Sequence, residues 1–212
     1  MTEAPRTARG RATRERIIAA AAALIRQSGI AEISLDDVIE HADVSKSQLY
    51  LYFEDRAALL REVVAHNTNL VLAAQEPYLD SLDSWKTIRA WLDWLVQLQR
   101  AGGARGGCAI GSLVGQLAET DEQARQILAD GFARWEQPLR RGLSSMQQRG
   151  KLDRSADPER LATATLATIQ GGLVLTQSRR DPNQLAIAVD AAYAHLRSHA
   201  ARASSRRRNP SP

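Results

Sequence analysis

The sequence predicts an all-α fold of about nine helices, a small N-terminal helix-turn-helix domain of three helices followed by a larger helical domain. Three observations predict it. Ala and Leu are abundant among the apolar residues, 44% of the 212-residue chain, while β-branched and aromatic residues are too few and too scattered to pleat a sheet. Apolar positions recur three and four residues apart in segment after segment, the period of a helix face. Ser, Asp and Gly then stand where those segments begin and end, as helix caps should.

Residues 1–11 have no apolar period and read as a flexible basic arm. Ile17, Ile18, Ala21, Leu24 and Ile25 form the stripe of the first helix, and Gly29 is its C-cap. The run "IIAAAAALI" follows arginines but is neither a leader nor a span. No small-residue cleavage pattern follows it, and it is far shorter than the roughly 20 apolar residues a membrane requires. Ser34 opens the second helix with Asp37 three residues on. Leu35, Val38, Ile39 and Ala42 then fill the i, i+3, i+4, i+7 template. After the short break Ala42-Asp43-Val44, Ser45 restarts a helix, and Ser45-x-x-Gln48 fits a capping box. Val44, Leu49 and Phe53 anchor that helix inward. Two helices joined by about three residues, behind a longer first one, make a helix-turn-helix over residues 12–58.

Glu54-Asp55 place acid at the start of a fourth helix. Leu59, Leu60, Val63 and Val64 line it, and Pro77 is expected to end it near Glu76. Further helices are expected over about 82–100, 112–119, 122–148, 158–177 and from about 183 to 198. Together they form a ligand-binding and dimerisation domain over 59–200, followed by a disordered basic tail over 201–212.

The second helix of the pair carries more hydrogen-bonding groups than packing requires. The major groove of DNA admits one α-helix, whose N-terminal side chains reach base edges. Lys46, Ser47 and Gln48 suit that outer face: lysine for guanine O6/N7, glutamine for adenine N6/N7. Tyr50 and Tyr52 are long with polar tips, fit for phosphates beside the groove, and Arg56 and the N-terminal end of the preceding helix at Ser34 suit others. Ser45, Arg11 and Arg14 complete the candidate DNA-binding set. The bland alternative, that Tyr50, Tyr52 and Phe53 are core aromatics, stays open for one of them but cannot hold for all three, because neighbouring residues lie about 100° apart on a helix. Charge alone does not carry the reading. The net charge is only +4, and the acids outnumber the bases between Arg16 and Ala65.

The stretch "ISLDDVIEHADVSKSQLYLYFEDRAALLREVV" resembles the DNA-binding domain of tetracycline-repressor-type (TetR family) regulators. Ser34, Val38, Ile39, Ala42, Val44, Ser45, Leu49, Tyr50, Phe53 and Leu59 fall on that pattern. Two positions depart from it. Asp43 replaces the glycine of the turn, and Arg56 replaces the lysine that opens the fourth helix. Aspartate tolerates the left-handed backbone better than most residues, so the turn should survive. The resemblance implies a homodimer reading successive major grooves of a near-palindromic operator, most members being repressors. It also implies a helical C-terminal domain that takes a small molecule and tilts the fourth helix. "GGCAIGSLVGQLAETDEQARQILADGFARWEQPLRRGL" and "ATIQGGLVLTQSRRDP" are similar to the C-terminal domain of a multidrug-responsive subgroup (LmrA/YxaF-like).

Read on their own terms, the last two helices carry small-residue stripes that suit self-association: Leu161, Thr165, Thr168 and Gly172, then Leu185, Val189, Ala192 and Leu196. Packing within one chain is the alternative. Trp85, Trp91, Trp94, Phe132 and Trp135 concentrate aromatic area that lines either a pocket for an apolar ligand or a plain aromatic core. "GGARGGCAIGS" lacks the lysine and the preceding strand of a phosphate loop and reads as a connector. Cys108, the only cysteine, excludes an intrachain disulfide and makes a reducing cytoplasm the expected compartment. His195 and His199 stand four apart with no third ligand near, so no metal or other cofactor is expected. No nucleophile–base or paired-carboxylate spacing supports an enzyme. The expected function is thus a ligand-responsive transcriptional repressor, with operator DNA, a small apolar effector and a second copy of the chain as partners, and no membrane. The competing reading is a non-specific nucleic-acid binder that uses its arginine-rich termini.

Overall fold

The computed structural model describes residues 7–201 as ten helices. They are α1 (Ala8–Ser28), α2 (Leu35–Ala42), α3 (Lys46–Tyr52), α4 (Arg56–Ala73), α5 (Glu76–Leu79), α6 (Trp85–Ala101), α7 (Gly111–Leu117), α8 (Glu122–Gln148), α9 (Pro158–Arg179) and α10 (Asn183–Ser198). The all-α expectation holds. Most of the expected basic arm and nearly all of the tail lie outside the described residues. Where the arm is described, it is helical. Thr7 caps α1 by accepting the Gly10 N–H at 3.0 Å, and the helix starts at Ala8. Apolar periodicity is silent there because that first turn buries nothing.

The chain forms two compact units, 1–76 with 105–135, and 77–104 with 136–212. In the first, α1 packs on α2, α3 and α4. Its core holds Ile17, Ile18, Ala21 and Ile25 from α1, Val38 and Ala42 from α2, Leu49 and Phe53, and Leu59, Leu60, Val63 and Val64 from α4. In the second, α10 packs on α9 and α6 around Leu92, Ile169, Leu185, Val189 and Leu196. The helix α8 gives its residues up to Trp135 to the first unit and the rest to the second. The change falls just before Pro138, which interrupts the helical hydrogen-bond ladder.

The tenth helix is the one the sequence did not announce. Instead of continuing to Glu76, α4 stops at Ala73. Pro77 does not terminate a helix but sits in the first turn of α5, a position where a missing N–H costs nothing. Gln75 at the break is buried. Its Nε2 donates to the Val71 carbonyl at 2.8 Å and its Oε1 accepts the Trp135 indole N–H at 3.1 Å, so side chains take over hydrogen bonding where the helix ends.

Candidate nucleic-acid interface

The reading head is built from local rules. Ser34 accepts the Asp37 N–H at 3.1 Å while the Asp37 carboxylate accepts the Ser34 N–H at 2.8 Å and its hydroxyl at 2.7 Å. Those donors hold the Asp37 carboxyl below its ordinary pKa, the hydroxyl bond first. The helix α2 ends in a Schellman turn. Asp43 takes φ 48°, ψ 60°, its N–H reaches Glu40, and the Val44 N–H reaches back to Ile39. Aspartate therefore performs the left-handed step expected of it. Arg16 of α1 caps the turn from outside, donating to the Asp43 carbonyl at 3.4 Å. No sequence signal marked that contact, because the two residues are far apart in the chain.

Ser45 then caps α3. It accepts the Gln48 N–H at 3.2 Å, and Gln48 Oε1 accepts the Ser45 N–H at 2.9 Å. Bidentate reading of adenine needs both ends of the glutamine amide, so with Oε1 turned back only Nε2 faces outward. Ser47 Oγ lies 2.9 Å from Ser45 Oγ. Leu49 and Phe53 are buried and fix the inner face of α3, leaving Lys46, Ser47 and Gln48 exposed and Tyr50 45% exposed. Tyr52 is half-buried.

The candidate arginines are placed differently. Arg56 donates to the carbonyls of Ile33, at 3.4 Å, and Ile30, which fastens α4 to the loop before α2 and leaves fewer N–H groups for a phosphate. Arg14 pairs with Glu62 at 2.6 Å and lies over the Phe53 ring, 5.5 Å from its centroid, bracing α1 against α3 and α4. Arg11 is exposed on α1. Ser34 is exposed, but its hydroxyl already donates and accepts within the α2 cap.

The same unit ties this head to α7 and the front of α8. The Ile30 N–H donates to Gln116 at 3.3 Å, and the Arg61 Nε–H is shared between both oxygens of Asp121 at 2.9 and 3.2 Å. Burial raises the Asp121 carboxyl, but the Ala124 N–H and Arg61 outweigh it and hold it below its ordinary value. Further along, Arg134 donates to Asn69 at 3.0 Å. A methyl group on Gly131 would come within 3.0 Å of Thr68, so α4 and α8 approach closely there.

The other expected sites are distributed unexpectedly. Trp85, Trp91 and Trp94 belong to the second unit, and Phe132 and Trp135 to the first. Trp91 and Trp135 are buried, Trp85 and Phe132 half-buried. Arg197 lies over Trp85, 5.2 Å from the ring centroid, and Trp94 stacks on Tyr78 at 5.4 Å. The stripe expected to meet a second subunit is turned inward instead. Leu161, Thr165, Gly172, Leu185, Val189, Ala192 and Leu196 are buried inside the single chain, and Thr168 is half-buried. A methyl group on Gly172 would stand 2.7 Å from the Ala188 side chain, so the small residues serve the close packing of α9 on α10. Cys108 is half-buried, its Sγ accepting the Gly111 N–H at 3.3 Å, and the His195 and His199 rings meet edge to face. No helix among the described residues is long and apolar enough to cross a membrane.

Against known proteins, residues 17–63 match the family described as bacterial regulatory proteins, tetR family, and residues 85–192 match the tetracyclin repressor-like C-terminal domain. The chain is 31% identical, over 79% of its length and 86% of the relative's, to an HTH-type transcriptional regulator of Mycobacterium tuberculosis. It is 28% identical, over 82% and 88%, to the HTH-type transcriptional regulator in the lacX 3′ region of Lactococcus lactis subsp. lactis. Among solved structures, a TetR-family regulator from Cytophaga hutchinsonii shares the fold at TM-score 0.80 with 17% identity, over 94% of this chain and all of that one. One from Chloroflexus aurantiacus does so at 0.77 with 24%, over 93% and 100%. The chain belongs to the TetR family: it is a transcriptional regulator with a helix-turn-helix DNA-binding domain, and not an enzyme.

Proposed function

We propose that the chain is a repressor that binds a near-palindromic operator as a homodimer and leaves it when a small apolar effector binds the C-terminal domain. The observation that carries this reading is α3. Two buried anchors hold a seven-residue helix so that Lys46, Ser47 and Tyr50 project from it. Such a helix fits a major groove, and two-fold symmetry would present two of them to two half-sites.

Three features support the finer parts. The buried stripes of α9 and α10 leave a second set of small and apolar residues outside: Ala164, Ala167, Gly171 and Val174 on α9, Ile187, Ala191 and Ala194 on α10. Val174 is 63% and Ile187 66% exposed, and a symmetric four-helix interface would cover both. The contacts of Arg61, Asn69 and Thr68 with the α7–α8 segment mean that a shift of that segment carries α4 and the reading head with it. In the second unit, Gln99 Oε1 and Gln170 Nε2 are buried without a hydrogen-bond partner, polar groups that an effector could satisfy.

The test uses duplexes enriched from a randomised double-stranded library by the full chain. Wild type should select a two-fold symmetric site and bind it less tightly as salt rises. Lys46→Ala and Tyr50→Ala should each weaken that site about tenfold or more with melting temperature unchanged. A folded Tyr50→Ala dimer that binds the site like wild type would refute the placement of the reading head. Binding that ignores sequence and vanishes when residues 1–11 and 202–212 are removed would establish the non-specific alternative.

A further inference from the structure

One of the exposed side chains of α3 is aliphatic. Leu51 is 66% exposed, as much as any large apolar residue of the described chain. Its direction follows from helix geometry. Leu51 stands two residues from each of the buried anchors Leu49 and Phe53, so at about 100° per residue it lies about 160° from either and points away from the core between them. Ser47 stands one turn earlier on the same face. Because helical side chains lean toward the N-terminus, the Leu51 isobutyl group covers the surface beside Ser47 and Gln48. Leu51 thus adjoins the exposed Ser47 and Gln48 one turn before it and is not in a separate patch. The described residues leave about two thirds of it open.

The chemistry of the neighbours selects the occupant. Lys46, Ser47 and Gln48 Nε2 are donors that match the acceptor-rich floor of a major groove. A second protein surface would have to bury the polar Ser47 and Gln48 beside Leu51. The apolar feature that the groove offers is the 5-methyl group of thymine.

We propose that Leu51 is a specificity-determining residue that reads a thymine 5-methyl group in each half-site by apolar contact, beside the polar contact of Ser47. This rests on the reading of α3 given above. It assigns one base preference to a residue that has no hydrogen-bonding capacity.

Uracil tests it, because uracil pairs like thymine and lacks only that methyl. Each thymine of the duplex selected by wild-type chain is replaced in turn by uracil, in both half-sites together, and affinity is measured by fluorescence anisotropy for wild type, Leu51→Ala and Leu51→Met. At one position uracil should weaken wild type by about fourfold per half-site, the size of one methyl group withdrawn from water. The same replacement should leave Leu51→Ala nearly unaffected, while Leu51→Met, still apolar and long, keeps a measurable loss. Leu51→Gln serves as the second variant if Leu51→Ala melts early, and should be equally blind to the methyl. Three results overturn the proposal: uracil effects identical in wild type and Leu51→Ala at every position, a Leu51→Ala protein that binds like wild type throughout, or one uniformly weaker on all sites with no thymine dependence. The last would place Leu51 against the sugar–phosphate backbone. Failure of wild type to enrich any site is a different result, and it removes the reading-head reading together with this one.

Discussion

The α2–α3 pair and the α9–α10 pair are both two short-linked helices with apolar stripes at helical spacing, yet they relate to their surroundings in opposite ways. On α3 one face is apolar and buried and the rest is polar, apart from Leu51, so the pattern tells inside from outside. On α9 and α10 small and apolar residues stand on both faces. Leu161, Thr165 and Gly172 go inward, and Ala164, Ala167, Gly171 and Val174 go outward. A stripe of small residues therefore shows that something packs closely on it, and not whether that something is the same chain or another. On α9 and α10 the described residues bury one of these two faces and leave the other exposed.

Substitutions on the two faces of α9 and α10 break that comparison most sharply. Val174→Asp combined with Ile187→Asp leaves the monomer interior untouched. It should raise the dissociation constant of the proposed dimer about a hundredfold or more, since unpaired charge would be buried at the proposed interface. Sedimentation at graded concentrations checks this, and an unchanged dimer would move the interface elsewhere. Gly172→Leu acts on the opposite face. Its side chain must displace Ala188 and Leu185, so the folded monomer should lose about 1–3 kcal/mol in denaturant unfolding. Ser45→Ala sharpens the other half of the comparison with the smallest effect. It removes a cap but no face, and should cost about 1 kcal/mol of stability while fraying the end of α3 that carries Lys46 and Ser47. A melting curve and the affinity for the selected duplex are read together. Equal stability and equal affinity would show that the cap is redundant.

Much of the reading head was legible because its signals are local. Ser34 with Asp37, Asp43 in the turn, and Ser45 with Gln48 each satisfy backbone groups within a few residues of themselves, so spacing alone identifies them. The break between α4 and α5 was not legible. What permits it is Trp135, sixty positions away, taking the side chain of Gln75. Arg56 and Arg14 look like phosphate ligands in sequence because nothing nearby claims them. Their partners, the Ile30 and Ile33 carbonyls, Glu62 and the Phe53 ring, come together only on folding. The five aromatics were expected to line one pocket or one core but fall in two units, Trp85, Trp91 and Trp94 in one and Phe132 and Trp135 in the other.

By itself the sequence determined the helical class, the caps and the orientation of α3, since hydrogen bonds within a turn and the 3.6-residue period depend only on near neighbours in the chain. The folded structure alone decided which arginines are spent on bracing, where α4 stops, and which face of α9 and α10 remains open. Those outcomes depend on groups distant in sequence meeting at a few ångströms, and no one-dimensional pattern encodes such meetings.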